Sequence, residues 1–139
     1  MKYFIDTNIL LSLLIKNRGK QFKECMALRD FIDQRKIKVY TNPTVISEVV
    51  WVLSSHYGFP KQKTAQAVDA ILGIKNLSLQ DNTNIRKTME LFIENNAKFI
   101  DCLIASDKDL QDSRAKIISY DKDFDKLGVK RVEPSVINS

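Results

Sequence analysis

At 139 residues, with 44% hydrophobic and 28% charged residues and few glycines or prolines, the chain has the make-up of one globular domain without linkers, burying about two-thirds of its unfolded surface. Its longest apolar run, Ile9 to Ile15, is broken by Ser12 and is too short to span a bilayer, and no basic flank precedes a cleavable apolar segment, so a cytoplasmic protein without a membrane anchor is expected. An excess of 22 Lys and Arg over 17 Asp and Glu leaves a net charge of +5, which suits a polyanionic partner without requiring one.

In chain order the patterning alternates strands with helices, with no internal repeat, and such alternation predicts an α/β fold on a parallel sheet. Lys2 to Ile5 reads as a strand. A helix from Thr7 to Ile15 follows, with Asp6 or Thr7 as its cap and a break at Lys16 to Gly19. A second helix, Gln21 to Arg35, leads to a strand at Lys38 to Tyr40. Asn42-Pro43 then opens a third helix with proline at its favoured first position. That helix reaches His56, and after Gly58-Phe59-Pro60 a fourth runs to Leu72. A strand follows at Leu77 to Leu79. Asp81 is the expected cap of a fifth helix ending near Asn95, and a sixth is expected from Lys98 or Phe99 to Leu110. Strand four is placed at Lys116 to Tyr120 and a short edge strand at Lys130 to Val132.

Four acids stand out on this map. In a parallel α/β sheet the ligand crevice lies beyond the carboxyl ends of the strands, and Asp6 and Asp121 each sit where an apolar strand ends. Glu48 lies early in helix three, in the stripe of Val45 and Val52 at 100° per residue. Asp101 opens helix six within Phe99 to Ala105, a stretch apolar almost all round. Isolated buried carboxylates are costly, but four converging at one sheet edge would be stabilised by a cation. Oxygen-only ligands suit Mg²⁺ or Mn²⁺, and Cys25 and Cys102, far apart in apolar helical contexts, read as reduced core thiols rather than zinc ligands. Each acid also has a simpler reading: a cap for Asp6, a helix-dipole partner for Asp101, a turn residue for Asp121, a buried ion-pair partner for Glu48.

The segments Phe4-Ile5-Asp6-Thr7-Asn8-Ile9-Leu10, Ser47-Glu48-Val49, Ile100-Asp101-Cys102-Leu103-Ile104-Ala105 and Ile118-Ser119-Tyr120-Asp121-Lys122-Asp123-Phe124, in this order and spacing, resemble the PIN-domain nucleases and in particular the small VapC-like ribonuclease toxins. The resemblance spans nearly the whole chain. It implies a three-layer αβα sandwich around a four- or five-stranded parallel sheet, divalent-metal-dependent RNA cleavage, frequent homodimers and, for toxins, an antitoxin partner. Asp6, Glu48, Asp101 and Asp121 match the family's acidic set. Asn8 and Ser119 match polar supporting positions, and Asp123 is a candidate fifth acid. Asp6 and Asp101 are expected to hold the metal while Glu48 and Asp121 complete its coordination or orient water. The Asn8 amide has two readings, a donor to a ligand or phosphate and a plain cap of helix one.

Rival readings meet specific obstacles. A haloacid-dehalogenase-like phosphatase needs a second acid two residues after the first, where Asn8 stands. A calcium loop starting at Asp121 would place Lys126 at its glycine and Val132 at its closing glutamate. A receiver-like domain would want a further acid beside Asp6. A non-catalytic RNA-binding module fits the charge but gives no reason for four converging acids, and a housekeeping PIN nuclease stays open beside the toxin. Lys122 and Lys126 are the expected RNA contacts, whereas Lys16, Arg18, Lys20 and Lys23 read as a solvated face. His56 is placed at the surface, and Trp51, Leu53 and Phe59 are assigned to the core by default, with a partner surface as the alternative.

Overall fold

The computed structural model describes residues 1–15, 19–34 and 36–138. Lys2–Ile5 forms β1, Thr7–Leu14 α1, Gly19–Asp33 α2, Lys38–Thr41 β2, Pro43–Ser55 α3, Lys61–Leu72 α4, Leu77–Leu79 β3, Ile85–Glu94 α5, Phe99–Ala105 α6, Lys108–Gln111 α7, Ala115–Ile118 β4, Arg131–Val132 β5 and Pro134–Asn138 α8. All five strands are parallel, in the order β3-β2-β1-β4-β5. The chain moves outward from β1 through β2 to β3, then returns past β1 to β4 and β5. Right-handed crossovers put α1 to α4 on one face and the return through α5 to α7 on the other, giving three layers. No helix among the described residues is long and apolar enough to cross a membrane.

Because helices cover both faces, the central strands are apolar on both sides rather than alternating. Phe4 and Ile5 of β1 are fully buried, paired in register with Ile117 and Ile118 of β4. Phe4 also meets Tyr40 of β2 edge to face, with ring centroids 5.1 Å apart. In α3 the buried residues Val45, Val49 and Leu53 recur every four positions, and Asn42 caps the helix by accepting from the Val45 N–H at 3.0 Å. Cys25 and Cys102 are buried and not joined in a disulfide.

Several boundaries differ from expectation, each for a local hydrogen-bonding reason. Asn84, not Asp81, caps α5, accepting from the Lys87 N–H, while Asp81 instead closes a turn onto the Thr83 N–H. The expected long sixth helix is two helices. The break comes at Asp107, which is fully buried, caps α7 at the Leu110 N–H and accepts from the Tyr40 hydroxyl at 2.8 Å. Strand four stops at Ile118, so Ser119 and Tyr120 belong to the following turn. A 3₁₀ turn at Lys122–Lys126 is capped by Asp121, whose carboxylate accepts from the Asp123 N–H. Helix α8, packed against α2, was not expected. Leu53 is core and Phe59 packs against the core, but Trp51 is 66% exposed, two positions from both Val49 and Leu53 and so on the opposite side of α3 from the buried stripe. Lys20 and Lys23 are exposed as expected, while Lys16, Arg18 and Arg35 lie outside the described residues.

Candidate active site

The strand order reverses between β1 and β4, and the chain leaves both strands at the same edge. Crevices form at such a switch point because successive connections diverge to opposite faces. Asp6 follows β1 directly, and its N–H donates to the Ile118 carbonyl at 3.2 Å, fastening it to the end of β4. Ile118 is followed by the turn that carries Ser119, Asp121 and Asp123. Helices α3 and α6 supply Glu48 and Asp101. The result is a cleft of about 130 Å³ lined by Asp6, Thr7, Asn8, Glu48, Val52, Lys98, Asp101 and Asp121.

Asp6 is buried, and both its oxygens already accept hydrogen bonds. Oδ1 takes the Thr7 N–H at 2.7 Å, and Oδ2 takes the Ser119 hydroxyl at 2.6 Å. The Ser119 oxygen in turn accepts from the Asp121 N–H at 3.0 Å. One hydroxyl thus couples the carboxylate after β1 to the backbone carrying the carboxylate after β4. Burial pushes the Asp6 carboxyl up to about 7; the Ser119 and Thr7 bonds oppose this, and the Glu48 and Asp101 charges add to it.

Asp101 differs in being unfinished. It is 7% exposed, and its Oδ2 is a buried oxygen with no hydrogen-bond partner. Burial, then the negative charges of Asp121 and Glu48, raise its carboxyl to about 6, with Lys98 opposing. Carboxylate oxygens of Asp101, Asp121 and Asp123 lie within 4.8 Å of one another. A hard cation would fit this oxygen-only set and satisfy the orphaned atom, and no histidine or thiol lines the cleft. Glu48 is half-buried and held by a hydrogen bond from the Thr7 hydroxyl to Oε1. Asn8 lines the cleft; the cap of α1 is Asp6, not Asn8.

The two expected cationic contacts lie elsewhere. Lys122 and Lys126 are exposed outside the cleft lining, and Lys126 Nζ is engaged by the Asn96 carbonyl at 2.5 Å and by Asp123 at 3.7 Å. Sequence reasoning passed over three residues here. Thr7 was read only as a cap, and Lys98 only as a helix boundary, although a lysine three positions before an acid at a helix start lies over the same turn. Arg131 had no visible signal. It donates to the Ser119 carbonyl at 3.0 Å while paired with Asp125 and Glu133, bracing the turn from β5.

The chain is similar to known proteins over most of its length. A VapC ribonuclease from Aquifex aeolicus (strain VF5) is 25% identical over 130 residues, covering 94% of this chain and 95% of the relative. Two solved structures share the fold. One is VapBC2 from Rickettsia felis bound to a DNA fragment from their promoter, with TM-score 0.69, 18% identity and coverage of 96% of this chain and 98% of that chain. The other is VapC20 of Mycobacterium tuberculosis, a sarcin-ricin loop cleaving toxin, with TM-score 0.71, 17% identity and coverage of 95% and 99%. The PIN domain model matches residues 3–130, and the chain belongs to the PIN domain family.

Proposed function

We propose that this protein is a divalent-metal-dependent endoribonuclease and the toxin of a toxin–antitoxin pair. The observation that carries the reading is the buried Asp101 carboxylate, with one oxygen unpartnered and the Asp121 and Asp123 carboxylates close by, at the sheet's switch point. The VapC ribonuclease relative supports the choice of RNA over other phosphodiesters.

Asp6, Asp101 and Asp121 would hold Mg²⁺ or Mn²⁺, with Asp123 as a further candidate ligand. When bound, the ion supplies positive charge to a phosphoryl oxygen and lowers the pKa of a water. The protein's own groups do the positioning. Ser119 and Thr7 fix the rotamer of Asp6, so its oxygens meet the cleft at one orientation. Glu48 is oriented through Oε1 by Thr7, leaving Oε2 to accept from the attacking water. The Asn8 amide donates to a phosphate oxygen at the cleft mouth.

The decisive experiment is incubation of the purified protein with RNA in Mn²⁺, in Mg²⁺ and in excess chelator, alongside expression with and without any small DNA-binding protein encoded next to it. Metal-dependent internal cleavage and growth arrest relieved by the neighbour are expected. Cleavage that survives chelation would sink the metal reading, and arrest that no neighbour relieves would favour a housekeeping nuclease.

Asp121 and Asp123 are expected to differ. Asp121 is half-buried and anchored by its bond to the Asp123 N–H, whereas Asp123 is exposed and leans on Lys126. Asp121→Asn should lower cleavage at saturating Mn²⁺ by at least about 10-fold, and Asp123→Asn by less. A larger loss for Asp123 would reverse the assignment.

An antitoxin segment would find an apolar groove between Leu14, Ile15, Tyr57, Phe59 and Ala67. A homodimer would cover the exposed apolar side chains of α5, among them Ile85, Met89 and Ile93, the last 79% exposed.

A further inference from the structure

An RNA nuclease must bring a phosphate to a cleft that repels it. Four carboxylates line this one against a single ammonium, that of Lys98, so the lining stays negative even with one divalent ion in place. A phosphodiester entering there needs a local cation that is not already neutralised.

Lys98 is the cation that lines the cleft among the described residues; Lys122, also without a side-chain partner, lies outside that lining. Lys126 is spent on the Asn96 carbonyl and Asp123, and Arg131 on Asp125 and Glu133. The Lys98 ammonium makes no hydrogen bond or ion pair with any described residue, and its charge acts on Asp101 from a distance. It stands immediately before α6 in extended backbone, with no side-chain capping bond to hold it. Asp101 is three positions on, in the first turn, which places the flexible lysine stem over the same side of the helix start as the carboxylate. Lys98 is exposed while Asp101 is buried, so the ammonium sits on the solvent side of the acids, where a substrate arrives first.

We propose that Lys98 is the phosphate grip of the cleft, its ammonium holding the non-bridging oxygens of the RNA phosphodiester presented to the acidic cluster. The role rests on the nuclease reading and adds a substrate-binding residue to it. A strongly hydrated point charge on a four-carbon stem suits a phosphate that shifts as the bond is cut. The same charge discourages a metal ion, so its removal should act in opposite directions on RNA and on metal.

The test uses Lys98→Gln and Lys98→Arg in the full chain, with an end-labelled, randomised single-stranded RNA pool. Cleavage is followed in Mn²⁺ across a salt series, and binding of the same pool in Ca²⁺. Lys98→Gln is expected to raise KM about 10-fold with a smaller change in kcat, and to flatten the log–log salt dependence of kcat/KM by about 0.7, the equivalent of one single-strand phosphate contact. Lys98→Arg should return both to within about 3-fold of the wild type. The melting-temperature rise produced by Mn²⁺ should be unchanged or larger in Lys98→Gln. An unchanged KM and salt slope would overturn the proposal, leaving Lys98 as a counter-charge to the acids; so would a raised KM accompanied by a smaller Mn²⁺ shift, which would place the effect on the metal. A wild type that binds the pool without cutting it would remove the nuclease reading while the Lys98 dependence of binding still decides the grip, and a wild type that does neither would end both.

Discussion

Asp101→Asn is expected to lower metal-dependent RNA cleavage by at least about 100-fold while raising the melting temperature of the metal-free protein. The first effect follows from losing one charge of the carboxylates that would hold the ion, among which those of Asp101, Asp121 and Asp123 lie within 4.8 Å of one another. The second follows from relieving repulsion: burial and the Asp121 and Glu48 charges already disfavour an ionised Asp101, and its Oδ2 makes no hydrogen bond that the amide would lose. A gain on the order of 1 kcal/mol would raise the melting temperature of a chain this size by about 3 °C. Asp6→Asn should be equally inactive but closer to neutral in stability. Its Oδ1 can still cap Thr7, whereas an amide at the Oδ2 position would face the Ser119 hydroxyl, which already accepts from the Asp121 N–H. Cleavage assays with thermal melts on both variants check this; full activity in either would remove that residue from the site.

The second large effect is a stability that declines as pH rises. Asp6 titrates at about 7 and Asp101 at about 6 in the fold, against an ordinary 3.8. Between about pH 4 and 7 the folded protein therefore holds protons that the unfolded chain has released. The unfolded state binds fewer protons there, so the free energy of unfolding falls with increasing pH, and the stability these carboxyls contribute in acid is lost as the pH passes their folded values. The combined loss is on the order of a few kcal/mol. Metal reverses the trend, because a cation requires the carboxylates ionised, so the melting-temperature rise in Mn²⁺ should grow from about pH 5 to about pH 8. Melting curves across that range, with and without Mn²⁺, test both slopes. A metal-free protein whose stability climbs through this window would mean that neither carboxyl is held protonated by the fold.

The parallel sheet was legible because short apolar runs and longer amphipathic ones alternate, and the carboxylates because each interrupts such a run: Asp6 ends β1, and Asp101 breaks an otherwise apolar helix. Features that depend on partners distant in the chain were not legible. The break between α6 and α7 leaves no mark in the periodicity, since Asp107 is held by Tyr40, 67 positions away. Asp81 and Asn84 are equally good caps by residue type. Asn84 prevails where tertiary structure intervenes, its N–H being taken up by the Ser106 hydroxyl at 3.1 Å. Trp51 reads as core by composition, yet the stripe of α3 is filled by Val45, Val49 and Leu53, which turns the indole outward.

The bond between Ser119 and Asp6 joins residues 113 positions apart, and that separation bears on when the cleft is completed during synthesis. During synthesis the β1 carboxylate is made long before β4, one of the two strands that flank it, and before the Ser119 hydroxyl that orients it. Contacts this distant in sequence form late in folding, after the intervening loop has been closed. A ribosome-bound chain that stops short of β4 therefore carries β1 paired on one side at most and Asp6 held by Thr7 alone, without the Asp121 carboxylate. The acidic cleft is therefore completed only once β4 and the turn after it have been made and have docked beside β1.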